Sequence, residues 1–259
     1  MRWETAEYQN LFSILGRHFD MHDVFYTEPA NIRDPNIRIV GDEAKHLLRV
    51  LRKKAGDHIL VTDGRGRRYE AVIRSVSADN AECDILRREE NVNEPRVEVT
   101  LGVSLLKNPG RFDFLVEKAT ELGVRSIAPM VCARTVRHHE NHDRLIKIAV
   151  SAMKQSGRSY LPEIFMKATF QGLIGHANDY DLRLIPHEKT EQSHFIDTVL
   201  HHHARARSIL VLIGPEGGFT DDELSEASAH GCVPISLGPR RLRAETAAIS
   251  ALGHCVGSW

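Results

Sequence analysis

No stretch of this 259-residue chain is apolar for long enough to cross a bilayer as a helix. Its longest uninterrupted aliphatic run, Ile209 to Ile213, has five residues, where about 20 are needed. It also lacks an excess of either charge. Lys and Arg total 34 against 35 Asp and Glu, a formal net charge of −1, so any electrostatic sign of nucleic-acid binding must be local. Cysteine is scarce. Cys83, Cys132, Cys232 and Cys255 include no pair with the close spacing of a zinc knuckle or a redox CxxC, and buried or semi-buried free thiols in a reducing compartment are expected. The first 20 residues mix Arg2 and Arg17 with Glu4, Glu7 and Asp20. They have neither the apolar core of a signal peptide nor the acid-poor composition of a transit peptide, so a cytoplasmic location is expected.

Several catalytic motifs are missing as well. No GxxxxGK[ST] occurs, which removes the main support for a phosphate-loop NTPase. His187-Glu188 is followed by Glu191 where HExxH requires histidine. Gly64-Arg-Gly66-Arg-Arg-Tyr69 begins like a dinucleotide fingerprint but ends in Tyr and joins two strand-like runs, so it reads as a hairpin turn. His138, His139 and His142, and His201, His202 and His203, read as solvated loop or helix-end residues, and no metal site is expected.

What is present is ordinary globular composition, 42% hydrophobic and 27% charged, on a chain long enough for two domains at about 150 residues each. Residues 1–20 form an extension of unknown role with a weakly helical stretch from Tyr8 to Leu15. Residues 21–90 are β-rich: His58 to Thr62 and Arg68 to Ile73 flank a glycine-bearing turn, and Glu82 to Leu86 is a further short strand, which together suggest a small barrel or half-open sheet. The charged stretch from Glu89 to Arg96 reads as a linker. Residues 91–259 alternate strands and amphipathic helices, the pattern of βα crossovers and a mostly parallel sheet. Within it, Thr220 and Glu223 form a capping box, with Phe219 placed to pack on Leu224.

Two turns near the C-terminus carry the chemistry. Leu212-Ile-Gly-Pro-Glu-Gly-Gly-Phe-Thr220 leaves a buried strand and enters the capped helix. Its glycines let a ligand approach main-chain atoms, at the strand end where open α/β sheets bind ligands. About 25 residues on, Leu237-Gly-Pro-Arg-Arg-Leu-Arg-Ala-Glu-Thr-Ala247 repeats the design with three arginines in four positions. A third concentration of charge lies between Ala44 and Arg68. Here Lys45, Arg49, Arg52, Lys53, Lys54, Arg65, Arg67 and Arg68 outnumber Asp57 and Asp63 by eight to two, either a solvated face or a phosphate-binding one.

The two turns resemble the signature of the bacterial 16S ribosomal RNA (uracil-N3)-methyltransferases, a family of the SPOUT superfamily. Phe112-Asp-Phe-Leu-Val-Glu-Lys-Ala-Thr-Glu-Leu-Gly-Val124, Lys154-Gln-Ser-Gly-Arg158, Leu161-Pro162 and His46-Leu-Leu-Arg-Val-Leu-Arg52 match it in order and spacing, as do Gly56-Asp57 and Asp63-Gly64, so the likeness runs from about Val24 to Val256. Arg241 stands where the family usually has a hydrophobic residue. The resemblance implies a PUA-like β-barrel that helps hold RNA, followed by an α/β domain with a trefoil knot, a rare exception to unthreaded connections. It also implies a homodimer, 16S rRNA as partner within the 30S subunit, and S-adenosylmethionine as cofactor.

The cofactor is then expected against three loops: Ile185, Pro186 and His187; Ile213, Gly214, Pro215, Glu216, Gly217 and Gly218; and Leu237, Gly238, Leu242 and Thr246. Arg243 is assigned to stabilise the uridine anion, against the alternative that all three arginines only neutralise phosphate. Glu216 or Glu245 is placed to accept the N3 proton, though Glu245 at a helix start can equally serve as a cap. RNA contacts are expected at Arg49, Arg52, Lys53, Lys54, Arg65, Arg158, Arg240 and Arg241. A non-catalytic RNA-binding protein of the same fold, or an enzyme using another nucleotide at these turns, are the competing classes.

Overall fold

Two sheets divide the chain in the computed structural model, which describes residues 24–136, 139–187 and 194–257. The helical stretch expected at residues 8–15 lies outside these. The first sheet comprises β1 (Val24–Tyr26), β2 (Ile32–Arg33), β3 (Asn36–Val40), β4 (His58–Thr62), β5 (Arg67–Val76) and β6 (Asn80–Glu90), in the order β1-β4-β5-β6-β3-β2. Every pairing is antiparallel except β1 on β4. Ile59 and Val61, then Tyr69, Ala71 and Ile73, then Ala81 and Cys83 are buried at alternate positions, as a sheet with one covered face requires. They pack with Phe25, Ile37, Ile39 and Leu47 in one cluster. Within this β-rich region a short helix, α1 (Gly41–Lys45), continues into a π-helical turn (His46–Val50).

From sequence, a strand is expected over residues 82–86 with a linker from Glu89. Instead β6 runs on to Glu90, with Glu89 opposite Arg68 and Glu90 opposite Arg67. Arg68 donates to Glu89 at 2.8 Å. The charged run is a strand because its charges are matched across the ladder, which no scan of one segment reveals.

The second sheet is wholly parallel. Its elements are β7 (Glu98–Ser104), α2 (Pro109–Leu122), β8 (Ser126–Val131), α3 (His142–Gln155), β9 (Glu163–Ile164), β10 (Ala168–Thr169), α4 (Phe170–Ile174), β11 (Leu182–Pro186), α5 (Ile196–His202), β12 (Ser208–Ile213), α6 (Asp221–Ala229), β13 (Val233–Ile235) and α7 (Ala244–Gly257). The order is β10-β8-β7-β12-β11-β13, with β9 also on β8. Both faces are covered, so β12 reads as a continuous apolar run. Ile209, Val211 and Ile213 join the core under α2, α3, α5 and α7, while Leu210 and Leu212 join Phe170, Ile174 and Ala227 on the other face. After edge strand β13 the chain returns to the middle of the sheet, where α7 packs against β7, β12 and α2.

Arg158 corrects an expectation. The sequence puts it on the RNA-facing surface, but it is 2% exposed. Its Nε and Nη2 donate to Glu94 at 3.1 and 2.7 Å, and its Nη1 to the carbonyls of Thr120 and Val124 at 2.7 and 3.2 Å. The other Glu94 oxygen accepts the N–H groups of Ser159 and Tyr160, each at 2.9 Å. Arg158 is therefore an internal tie between the interdomain segment and the second domain. Nearby, Lys154 on α3 donates to Glu43 on α1 at 2.6 Å, a second tie across the domain junction.

Candidate active site

Strands β12, β11 and β13 lie side by side, so the loops leaving their C-terminal ends converge. Between them is a cavity of about 520 Å³, in the usual size range for small-molecule sites. Pro186 and His187 line it from the first loop, residues 213–218 from the second, and Leu237, Gly238, Arg240, Arg241, Leu242 and Arg243 from the third.

Two glycines make these bends possible. Gly218 has φ of +70° and Gly238 +108°, and a Cβ at either would meet no atom within 4 Å. The main chain is left-handed there, which disfavours other residues, and the space beside it is open. The β12 turn is tight, with Gly218 N–H donating to Pro215 O at 2.8 Å. Its exit is fixed by the expected capping box: Glu223 N–H donates to Thr220 Oγ1 at 3.2 Å, and Thr220 N–H to Glu223 Oε2 at 2.8 Å. Phe219 and Leu224 join one apolar cluster beside it.

Three expected site residues do not line the cavity. Ile185 is 2% exposed and belongs to the core, because successive residues of a strand point to opposite faces. Thr246 is exposed on the first turn of α7. Ala244 and Ala247, three residues apart, occupy the cavity face of that helix instead. Glu245 is 7% exposed and turned toward α2, where its Oε1 lies 3.7 Å from Arg111 Nε. Glu216 does line the cavity, and its Oε1 accepts Lys107 N–H at 3.0 Å.

Sequence reasoning missed Arg134, Phe219, Asp221, Ser236, Ala244 and Ala247, which also line the cavity. Arg134 follows β8, at the same edge of the sheet as the other loops, and that placement was the available signal. Its Nη1 donates to the carbonyls of Gly217 and Phe219 at 2.9 and 3.1 Å. Adjacent Ala133 N–H donates to Glu223 Oε1 at 2.8 Å. Burial, and then the Glu223 carboxylate, push the neighbouring Cys132 thiol up to about 12.

Of the basic residues expected to meet RNA, Arg240 and Arg241 are exposed at the cavity. Arg49, Arg52, Lys54 and Arg65 are exposed on the first domain and Lys53 is half-buried. The eight-to-two excess shrinks in three dimensions, since Arg67 and Arg68 face Glu90 and Glu89, and Lys45 pairs with Asp42.

A family model described as RNA methyltransferase domain matches residues 93–255, and one described as RNA methyltransferase PUA domain matches residues 39–86. The chain is 33% identical over 234 residues to the ribosomal RNA small subunit methyltransferase E of Rickettsia conorii, covering 88% of this chain and 93% of that protein. It is 29% identical over 227 residues to the protein of that name from Bacillus subtilis, covering 84% and 88%. Among solved structures, a ribosomal RNA small subunit methyltransferase E from Neisseria gonorrhoeae bound to S-adenosyl methionine matches with a TM-score of 0.80 at 27% identity, over 92% of this chain and 98% of that one. A putative methyltransferase of Legionella pneumophila in complex with the bound cofactor SAM matches at 0.76 and 27% identity, over 91% and 97%.

Proposed function

Because the chain belongs to the RNA methyltransferase family that includes ribosomal RNA small subunit methyltransferase E, we propose that it uses S-adenosylmethionine to methylate N3 of one uridine in 16S ribosomal RNA. The fold is the SPOUT-type α/β domain behind a PUA-like domain. The cavity between the two glycine turns carries the reading. Its size, its main-chain walls and the open space beside Gly218 and Gly238 suit a nucleoside cofactor held close to backbone.

S-adenosylmethionine supplies a methyl group already activated by its sulfonium. The protein is left to place N3 in line with that carbon at ~3–3.5 Å, to favour the deprotonated imide, and to exclude water. Arg243, exposed at the cavity rim, presents a planar cationic fork whose donors are directional. It stabilises the negative charge that develops on the uracil oxygens, while Arg240 and Arg241 on the same bend meet phosphate. In this reading Glu216, which lines the cavity, takes the N3 proton rather than Glu245, which does not line it. The exposed cations of the first domain extend the RNA surface.

The reading extends to the assembled 30S subunit as substrate, a homodimer and a cytoplasmic location. Among the described residues no helix is long and apolar enough to cross a membrane. The test is incubation of purified protein with methyl-labelled cofactor and 30S particles lacking the modification, followed by nucleoside mass analysis. Labelled 3-methyluridine in 16S rRNA is expected. Cofactor binding and RNA binding without methyl transfer would leave a non-catalytic RNA-binding protein.

A further inference from the structure

Gly218 lines the cavity in a left-handed conformation, and the two carbonyls on either side of it, Gly217 O and Phe219 O, are both held by Arg134 at 2.9 and 3.1 Å. We propose that Arg134 is a positioning residue that locks the 214–220 turn in its cofactor-accepting shape, an inference that rests on the cavity being the S-adenosylmethionine site.

The side chain is fitted to the turn along its length. A Cβ at Gly217 would lie 3.3 Å from Arg134 Cβ and 3.4 Å from its Cδ, so the arginine stem occupies the space a side chain at 217 would need. A glycine-bearing turn loses much conformational freedom when it orders around a ligand. Tying a carbonyl on each side of Gly218 to one group removes that freedom beforehand, so less is lost on binding.

Arg134 is itself held. Thr135 N–H donates to Cys132 O at 3.0 Å, and Cys132 N–H donates to Thr135 Oγ1 at 2.8 Å. Thr135 Oγ1 also shares a 2.7 Å hydrogen bond with Ser104 Oγ on β7. Ala133 N–H donates to Glu223, the same carboxylate that caps α6. The 132–135 loop is thus tied to the second half of the cofactor turn, by Arg134 at residues 217 and 219 and through Glu223 at residue 220. None of these contacts involves the residues assigned to RNA or to the methyl-transfer step.

The experiment is calorimetric titration of Arg134→Ala and Arg134→Lys with S-adenosylmethionine and with 5′-methylthioadenosine, which lacks the amino-acid part, beside ligand-free melting curves. Arg134→Ala is expected to weaken both ligands by a similar factor of about ten, the equivalent of one charge-assisted hydrogen bond, with only a few degrees' change in melting temperature. Arg134→Lys, which keeps both stem and donor, is expected to recover part of that affinity, and Arg134→Met, which keeps only the stem, is not; recovery by Met would mean a purely space-filling role. Unchanged affinity for both ligands overturns the proposal, and so does a loss confined to S-adenosylmethionine, which would make Arg134 a direct contact to the amino-acid part. Should Arg134→Ala not fold, Arg134→Gln keeps most of the stem and is read the same way. Absence of binding by the unsubstituted protein would sink the cavity reading and this inference with it; normal binding by the variants sinks the inference alone.

Discussion

At Gly218 the main chain takes a left-handed conformation on the wall of the cavity. With φ at +70°, a β-branched side chain is strained by roughly 1–2 kcal/mol and projects into the open space beside the turn. Gly218→Val is therefore expected to weaken S-adenosylmethionine at least ~10-fold in calorimetry. The melting temperature should drop by only a few degrees, at about 2–4 °C per kcal/mol for a chain of this size. A folded variant with parental affinity removes the turn from the site. Arg243 makes the complementary case. It stands at the rim of the cavity, so Arg243→Ala should keep cofactor affinity and lose at least ~10²-fold in turnover, the usual cost of deleting one transition-state donor. Parental turnover would end that role. Cys132 adjoins the same loops but is 4% exposed, with its thiol raised to about 12. Thiolate is the reactive form, so at pH 8 iodoacetamide should label this position far more slowly in folded than in denatured protein; equal rates would contradict its burial.

Elements whose signals are local were legible in the sequence, and those that depend on a distant partner were not. The capping box of α6 needs only Thr220 and Glu223, and it stands as read. The buried strand β12 announces itself as an apolar run. By contrast, residues 87–90 become strand only because β5 lies opposite with matching charge. Within the site, the glycine turns were visible as motifs, while the placing of Glu245 and Thr246 depends on which face of α7 meets the cavity, and that face carries Ala244 and Ala247. Arg158 is the sharpest instance. Its partner Glu94 is 64 positions away, and without that partner a lone arginine after a helix looks like surface. The burial of this pair predicts that Glu94→Gln or Arg158→Ala destabilises the fold by ~3–5 kcal/mol, since one charge is left uncompensated inside. Chemical denaturation should show it, and a stability within ~1 kcal/mol of the parent would mean the pair is more solvated than the structure shows.

For the molecule as a whole, a net charge of −1 means that attraction to RNA depends on where the cations sit. The carboxylates of β6 and α1 already engage Arg67, Arg68 and Lys45, which leaves Arg49, Arg52, Lys54 and Arg65 exposed on the first domain and Arg240, Arg241 and Arg243 on the second. Contacts of this kind release counterions, and each phosphate neutralised on a single strand contributes about 0.7 to the slope of log affinity against log salt. The double variant Arg49→Gln/Lys54→Gln removes two exposed cations far in sequence from the cofactor turns. It should lower affinity for 16S rRNA fragments regardless of their sequence, flatten that slope by roughly 1.4, and leave S-adenosylmethionine titrations unchanged. An unaltered slope would mean that the basic run on the first domain is a solvated face. The rRNA would then be held by the arginine bend at the cavity, and the same titration on Arg240→Gln/Arg241→Gln would show the flattening instead.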